Sequence, residues 1–198
     1  MTAIVRLKIT LDDIEPKVMR RIEVPLDIRL DRLHLAIQAA MGWTNSHLYE
    51  IRARDIGWGL PVRGEYGGPL DARKARLVDA LEDTGARTLK YVYDFGDNWE
   101  HTLKIERIEP AAPGVAYPRL LDAAGHCPPE DVGGYPGYME MLEARADPSH
   151  ERRAEFEEWI DFAAFDPNIA DVSNIETALH ALARKWARKT GPRKPRAT

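Results

Sequence analysis

Two alternating runs joined by a tight turn constrain this chain more than any other feature. Leu89, Tyr91 and Tyr93 recur at every second position before Phe95-Gly96-Asp97-Asn98, and Trp99, His101, Leu103 and Ile105 do the same after it. Period-2 alternation places one set of side chains on one face of a strand, and Gly, Asp and Asn turn a backbone sharply. The segment therefore predicts a β-hairpin with one apolar face, and an apolar face needs a covering layer.

The rest of the chain supplies both strands and cover. Val5, Leu7, Ile9 and Leu11 alternate with polar residues, and a turn at Ile14-Glu15-Pro16-Lys17 leads into a second strand over 18–24, a further predicted hairpin. Leu30, Leu33, Ile37 and Met41 then fall at helical spacing, with Gly42 placed to end the helix, and 47–53 reads as a third strand. Residues 56–73 hold Gly57, Gly59, Pro61, Gly64, Gly67, Gly68 and Pro69, too many breakers for a regular element, and predict a long functional or mobile loop. A short helix over 76–82 precedes the central hairpin. Beyond it, Pro136 fits a first helical position, and Asp147 is placed to cap a helix that starts at Pro148 and buries Phe156, Trp159 and Ile160. Ser173 and Glu176 form a capping-box pattern before Ile175, Leu179, Leu182 and Trp186. Strands lead and helices follow, so the fold class is α+β: a β-grasp-like hairpin–helix–strand unit joined to a second hairpin, with a helical C-terminal third. One domain spans 1–183, sheet-rich to about 110 and helical from 111, followed by a basic flexible tail at 184–198.

Charge supports that boundary. The tail carries Arg184, Lys185, Arg188, Lys189, Arg193, Lys194 and Arg196 and no acid, so residues 1–183 hold a net −11 of the chain's overall −4. An acidic body repels phosphate backbones, while a basic tail could attract them, which keeps both a protein and a nucleic-acid partner open. The bland alternative for the tail is a solubilising, frayed terminus. The chain has no apolar run long enough to span a membrane, and its alternating N-terminus lacks a secretion signal, so a cytoplasmic location is expected. One cysteine, Cys127, excludes an internal disulfide and a Cys-rich zinc module. Phosphate-binding loops, dinucleotide-binding glycine motifs, HExxH and GxSxG are absent, and a strand pattern follows the 30–41 helix where a helix-turn-helix would need a second helix.

Two polar segments concentrate residues able to do chemistry: Tyr93 to His101, and His126-Cys127-Pro128-Pro129-Glu130-Asp131-Val132-Gly133-Gly134. Their candidates are Asp94, Asp97, Trp99, His101, Cys127, Glu130 and Asp131. Alternation puts His101 on the apolar face with Trp99, where a core histidine with one satisfied ring nitrogen is the bland explanation. Asp94 and Asp97 flank a turn that their side chains could simply brace. Glu130 and Asp131 could lock the second segment onto the hairpin as a structural clamp. The sharper alternative gathers Asp94, Asp97, His101, Glu130 and Asp131 around a divalent cation, the one cofactor these residues suit. Cys127 would be a nucleophile only if a nearby histidine or helix N-terminus stabilised its thiolate.

The same residues carry a family resemblance. Ile9-Thr10-Leu11 with Pro16 and Arg20-Arg21-Ile22, Leu33-His34, the run from Gln38 to Trp43 and His47-Leu48-Tyr49 resemble the opening of the Ri-plasmid ORF-three-like family, often labelled insertion-element passenger TnpR. Tyr93 to His101 is similar to its YDFGDxWxH motif and Cys127 to Gly134 to its CPPEDxGG motif; Phe165-Asp166-Pro167 and Asn174 also agree. Met19 departs from it, standing where members commonly carry Trp. The resemblance implies a compact α+β domain linked to plasmids and mobile elements, without an assigned reaction. The clustered arginines and DNA-binding helix-turn-helix of a serine resolvase are not visible. Two functions follow as expectations. One is a non-enzymatic binding or accessory module, marked by a groove along Trp43, Trp58 and the 56–73 loop. The other is a metal-dependent hydrolase, which requires the two motifs to converge on one centre.

Overall fold

A computed structural model describes residues 3–61 and 68–187. Its strands are β1 (Ala3–Leu11), β2 (Met19–Pro25), β3 (Tyr49–Ala53), β4 (Ile56–Gly59), β5 (Leu70–Asp71), β6 (Thr88–Tyr93), β7 (Trp99–Pro110) and β8 (Arg119–Ala124). They form one sheet in the order β5-β4-β3-β6-β7-β1-β2-β8, antiparallel except for the short β4–β5 pair. The helices are α1 (Leu30–Met41), α2 (Leu77–Thr84), α3 (Gly134–Ala146), α4 (Arg153–Glu157) and α5 (Val172–Ala187), so the fold is α+β. Among the described residues no helix is long and apolar enough to cross a membrane.

Register turns the alternation into a two-faced sheet. Leu7, Ile9 and Leu11 of β1 stand opposite Ile105, Leu103 and His101 of β7, and Tyr91 and Tyr93 of β6 oppose His101 and Trp99. All of these are buried, while Lys8, Thr10, Lys90, Thr102 and Lys104 on the other face keep contact with solvent. Helix α1 packs on α5 and β2, and α5 packs on β8. Leu30, Leu33, Ile37 and Met41 of α1 are buried, and Gly42 (φ 87°) ends the helix in the left-handed region that glycine adopts most readily. Arg20 reaches inward from β2 and donates its Nε–H to the Ala40 carbonyl at 2.8 Å, satisfying one of the helix's terminal acceptors.

Several sequence expectations differ from this structure. The first hairpin, α1 and β3 do not form a sheet of their own beside a second hairpin: β6 and β7 lie between β1 and β3, so both predicted units share one sheet. The breaker-rich stretch 56–73 contains β4 and β5, and residues 62–67 of it lie outside the described residues. There Gly59 permits close approach, because a Cβ would sit 2.7 Å from the Tyr49 carbonyl oxygen. The division at 110 does not separate sheet from helices, since β8 lies beyond it and pairs with β2. Asp147 braces a turn by accepting the Ser149 N–H at 2.8 Å, so the next helix starts only at Arg153, and Trp159 is half exposed. Ser173 lies inside α5, whose Asn174 N–H is taken by Asp171 at 3.1 Å. Arg184 and Lys185 belong to the last turn of α5, so no flexible tail begins at 184; Arg188, Lys189, Arg193, Lys194 and Arg196 lie outside the described residues.

Candidate functional site

The two polar segments meet where the 44–47 loop enters β3. Glu130 joins them. Its Oε2 accepts the Thr44 backbone N–H at 2.7 Å and the Thr44 hydroxyl, and its Oε1 accepts the Tyr93 hydroxyl and, at 3.1 Å, the Ser46 hydroxyl. Burial alone would raise the Glu130 carboxyl, but the bonds from Thr44, Tyr93 and Ser46 outweigh it and hold the group below its usual range. Asp97 does similar work at the turn, accepting the Gly133 N–H at 3.2 Å. The backbones pack so closely there that a Cβ on Gly134 (φ 66°) would lie 2.5 Å from the Asp97 carbonyl oxygen.

Behind this contact lies a layer of bonded aromatic and imidazole rings. His34 stacks on Tyr49 with ring centroids 3.6 Å apart. Its Nε2 faces the acceptor oxygen of Asn45 and so carries the proton, which leaves Nδ1 to accept from the Tyr91 hydroxyl at 2.9 Å. His101 is fully buried and gives its Nδ1–H to the Trp99 carbonyl at 3.0 Å, with the Trp43 ring edge-on at 5.4 Å. Desolvation pushes both imidazoles down to about 4, so both are neutral at pH 7. His101 therefore belongs to the core, without a role at an exposed cation site.

Cys127 is also buried, and desolvation pushes its thiol up to about 12 despite the nearby Arg20. A thiol so far from ionisation is a poor nucleophile. Native protein at pH 8 is therefore expected to leave Cys127 unmodified by iodoacetamide over the time in which urea-unfolded protein reacts completely; equal labelling rates in the two states would contradict this placement.

One set of donors remains free of the clamp. His47, Asp94 and Asp131 each present a ligand atom, all within 4.8 Å of one another, and they are the one such trio among the described residues. His47 Nε2 lies 3.0 Å from Asp131 Oδ1, and His47 Nδ1 lies 3.6 Å from Asp94 Oδ2. Of the five expected cation ligands, Asp94 and Asp131 lie on either side of the His47 ring, while Asp97, His101 and Glu130 are not in this group. His47 was hidden in the sequence because neither spacing nor strand alternation links it to residues so far along the chain.

A cleft of about 820 Å³ opens beside the clamp, between the end of α1, the 126–130 loop and the start of α5. Trp43, Trp159 and Phe165 supply aromatic surface, and Glu130, Asp161 and Asp171 supply carboxylates. Trp43 is fixed by donating its indole N–H to the Pro128 carbonyl at 2.9 Å. Trp58 is buried on β4 and does not line this cleft, and part of the 56–73 loop of the expected groove lies outside the described residues.

Comparison with known proteins identifies a family and a similar fold. The family model described as plasmid pRiA4b ORF-3-like protein matches residues 3–174. An uncharacterized protein of Sinorhizobium fredii, y4hQ, is 58% identical over 189 residues, covering 96% of this chain and 97% of its own. The crystal structure of a protein of unknown function from Methanosarcina mazei is similar, with a TM-score of 0.76 at 34% identity, covering 88% of this chain and 98% of that one.

Proposed function

The chain belongs to the plasmid pRiA4b ORF-3-like family, and from that premise we propose that it is a non-enzymatic binding module whose cleft takes a basic segment of a partner protein. The observation that carries this reading is the lining of the cleft, where Trp43, Trp159 and Phe165 stand beside Glu130, Asp161 and Asp171. Aromatic faces and carboxylates together favour a cationic side chain with an apolar stem, and an acidic body steers such a partner inward. The residues that would run a reaction have other work: Glu130 holds the two segments together, and His101 and Cys127 are buried in the core. Of the five ligands expected for the hydrolase alternative, Glu130 serves the clamp, His101 the core, and Asp97 the contact with Gly133.

A short fluorescein-labelled peptide of alternating arginine and leucine tests the reading by fluorescence anisotropy, with a glutamate–leucine peptide as control. The basic peptide is expected to bind and the acidic one to fail. Trp159→Ala should weaken binding roughly tenfold, as truncation of an aromatic anchor does. Trp159 is 48% exposed, so this variant retains the fold. Equal affinity of wild type and variant, or equal binding of the two peptides, would overturn the assignment.

A further inference from the structure

We propose that the cleft receives the free C-terminal end of its basic partner segment and that Arg20 binds the terminal carboxylate; the inference rests on the assignment of the cleft to such a segment. Arg20 is the one lysine or arginine among the described residues that line the cleft, and it is only 1% exposed. A guanidinium has five N–H donors. Three of them are engaged here, Nε–H by the Ala40 carbonyl and Nη1 by the carbonyls of Met19 and Ala124, each at 2.8 Å. Among the described residues nothing accepts from the two N–H groups of Nη2.

The charge of Arg20 is as unmatched as its Nη2. Three carbonyls satisfy hydrogen bonds but carry no net charge. The titratable neighbour that favours the charged guanidinium is the Cys127 thiol, which burial keeps neutral at pH 7. Arginine does not shed its proton to escape burial, and buried charges are ordinarily paired. The same strand shows the ordinary case: Glu23, also 1% exposed, is held between Arg6 at 2.8 Å and Arg119 at 2.7 Å. Arg20 has no such partner among the described residues. Its carbonyl bonds fix the guanidinium in place, so an incoming anion meets a donor that needs no further ordering.

The other charges of the cleft select the source of that anion. Glu130, Asp161 and Asp171 line the same space, and the body of the chain is acidic, so a ligand rich in acidic side chains is repelled before it reaches Arg20. A basic segment is attracted instead. Its terminal carboxylate is the one anion it carries without any acidic side chain. The two contacts together fix the direction of the bound segment: cationic side chains meet the carboxylates and the faces of Trp43, Trp159 and Phe165, and the chain end meets Arg20.

Three arginine–leucine peptides, each labelled with fluorescein at the amino end, test this on the full chain by anisotropy. One ends in a free carboxylate, one in an amide, and one in an aspartate whose own terminus is amidated. The free acid is expected to bind roughly tenfold more tightly than the amide, as one charge-assisted hydrogen bond provides. General attraction to an acidic body predicts the opposite order, because the amide is the more cationic peptide. The aspartyl amide should bind no better than the amide. Arg20→Gln should bring acid and amide to equal affinity; if that variant fails to fold, the peptide comparison on the wild type decides alone. Equal binding of acid and amide, both weakened by Trp159→Ala, would overturn the role of the terminus and leave the cleft assignment standing. An aspartyl amide as tight as the free acid would also overturn it. Failure of all three peptides to bind would overturn the cleft assignment and this inference with it.

Discussion

Acidification from pH 6.5 to 4.5 is expected to remove roughly 4 kcal/mol of folding stability, a large share of the stability of a typical domain. The cause is the pair of buried imidazoles. His34 and His101 titrate near 4 in the folded chain because burial disfavours their charged forms. In the unfolded chain both take up protons near 6.5. Between those values the unfolded state binds more protons, so stability is complete above about 6.5 and falls as pH drops toward 4. At full displacement each imidazole contributes about 3 kcal/mol. Urea midpoints at pH 7, 5.5 and 4.8 measure the slope in a range where few carboxylates titrate. His101→Gln should remove about half of it, and a wild-type midpoint that stays level from pH 7 to 4.8 would refute the placement of both rings.

Glu130→Ala should cost about 3 kcal/mol, seen as a fall in melting temperature of roughly 6–12 °C for a chain of this size. The carboxylate accepts four hydrogen bonds, from the Thr44 amide and the hydroxyls of Thr44, Ser46 and Tyr93. Bonds to a charged acceptor are the stronger kind, although water can replace part of them at a site that is not fully buried. Glu130→Gln keeps the shape without the charge and should lose about half as much. A double-mutant cycle with Tyr93→Phe should show coupling above about 1 kcal/mol. Additive effects of the two substitutions would mean that Glu130 does not couple the 44–46 loop to β6.

What was legible in the sequence were elements whose cause is local. Helix α1 runs over Leu30–Met41 as the spacing predicts, because both its apolar stripe and its terminal glycine are short-range signals. The β6–β7 hairpin is equally plain, since one turn fixes its register. Strand order is a different matter, set by pairings between residues far apart. Nothing near Trp99 or Leu103 indicates that β7 takes β1 as its second neighbour. Strand β8 was missed because Arg119-Leu120-Leu121-Asp122-Ala123-Ala124 lacks alternation, as an edge strand without a buried face can. At the site, the two motifs mark Asp94 and Asp131 by composition alone. Their third companion, His47, is identified only by distance in space.

The central position of β1 also governs what a ribosome must wait for. This strand finds β2 soon after it emerges, yet the other half of its backbone bonds belongs to β7, about a hundred residues later. At typical elongation rates of about 5–20 residues per second, the first hairpin stands half-paired for roughly 5–20 seconds during every round of synthesis. During that interval its open edge and apolar face have only nascent chain, chaperone or a neighbouring polypeptide to meet. Fragments that stop before residue 99 lack β7 altogether and should be recovered as aggregates, whereas chains that include it can close the sheet.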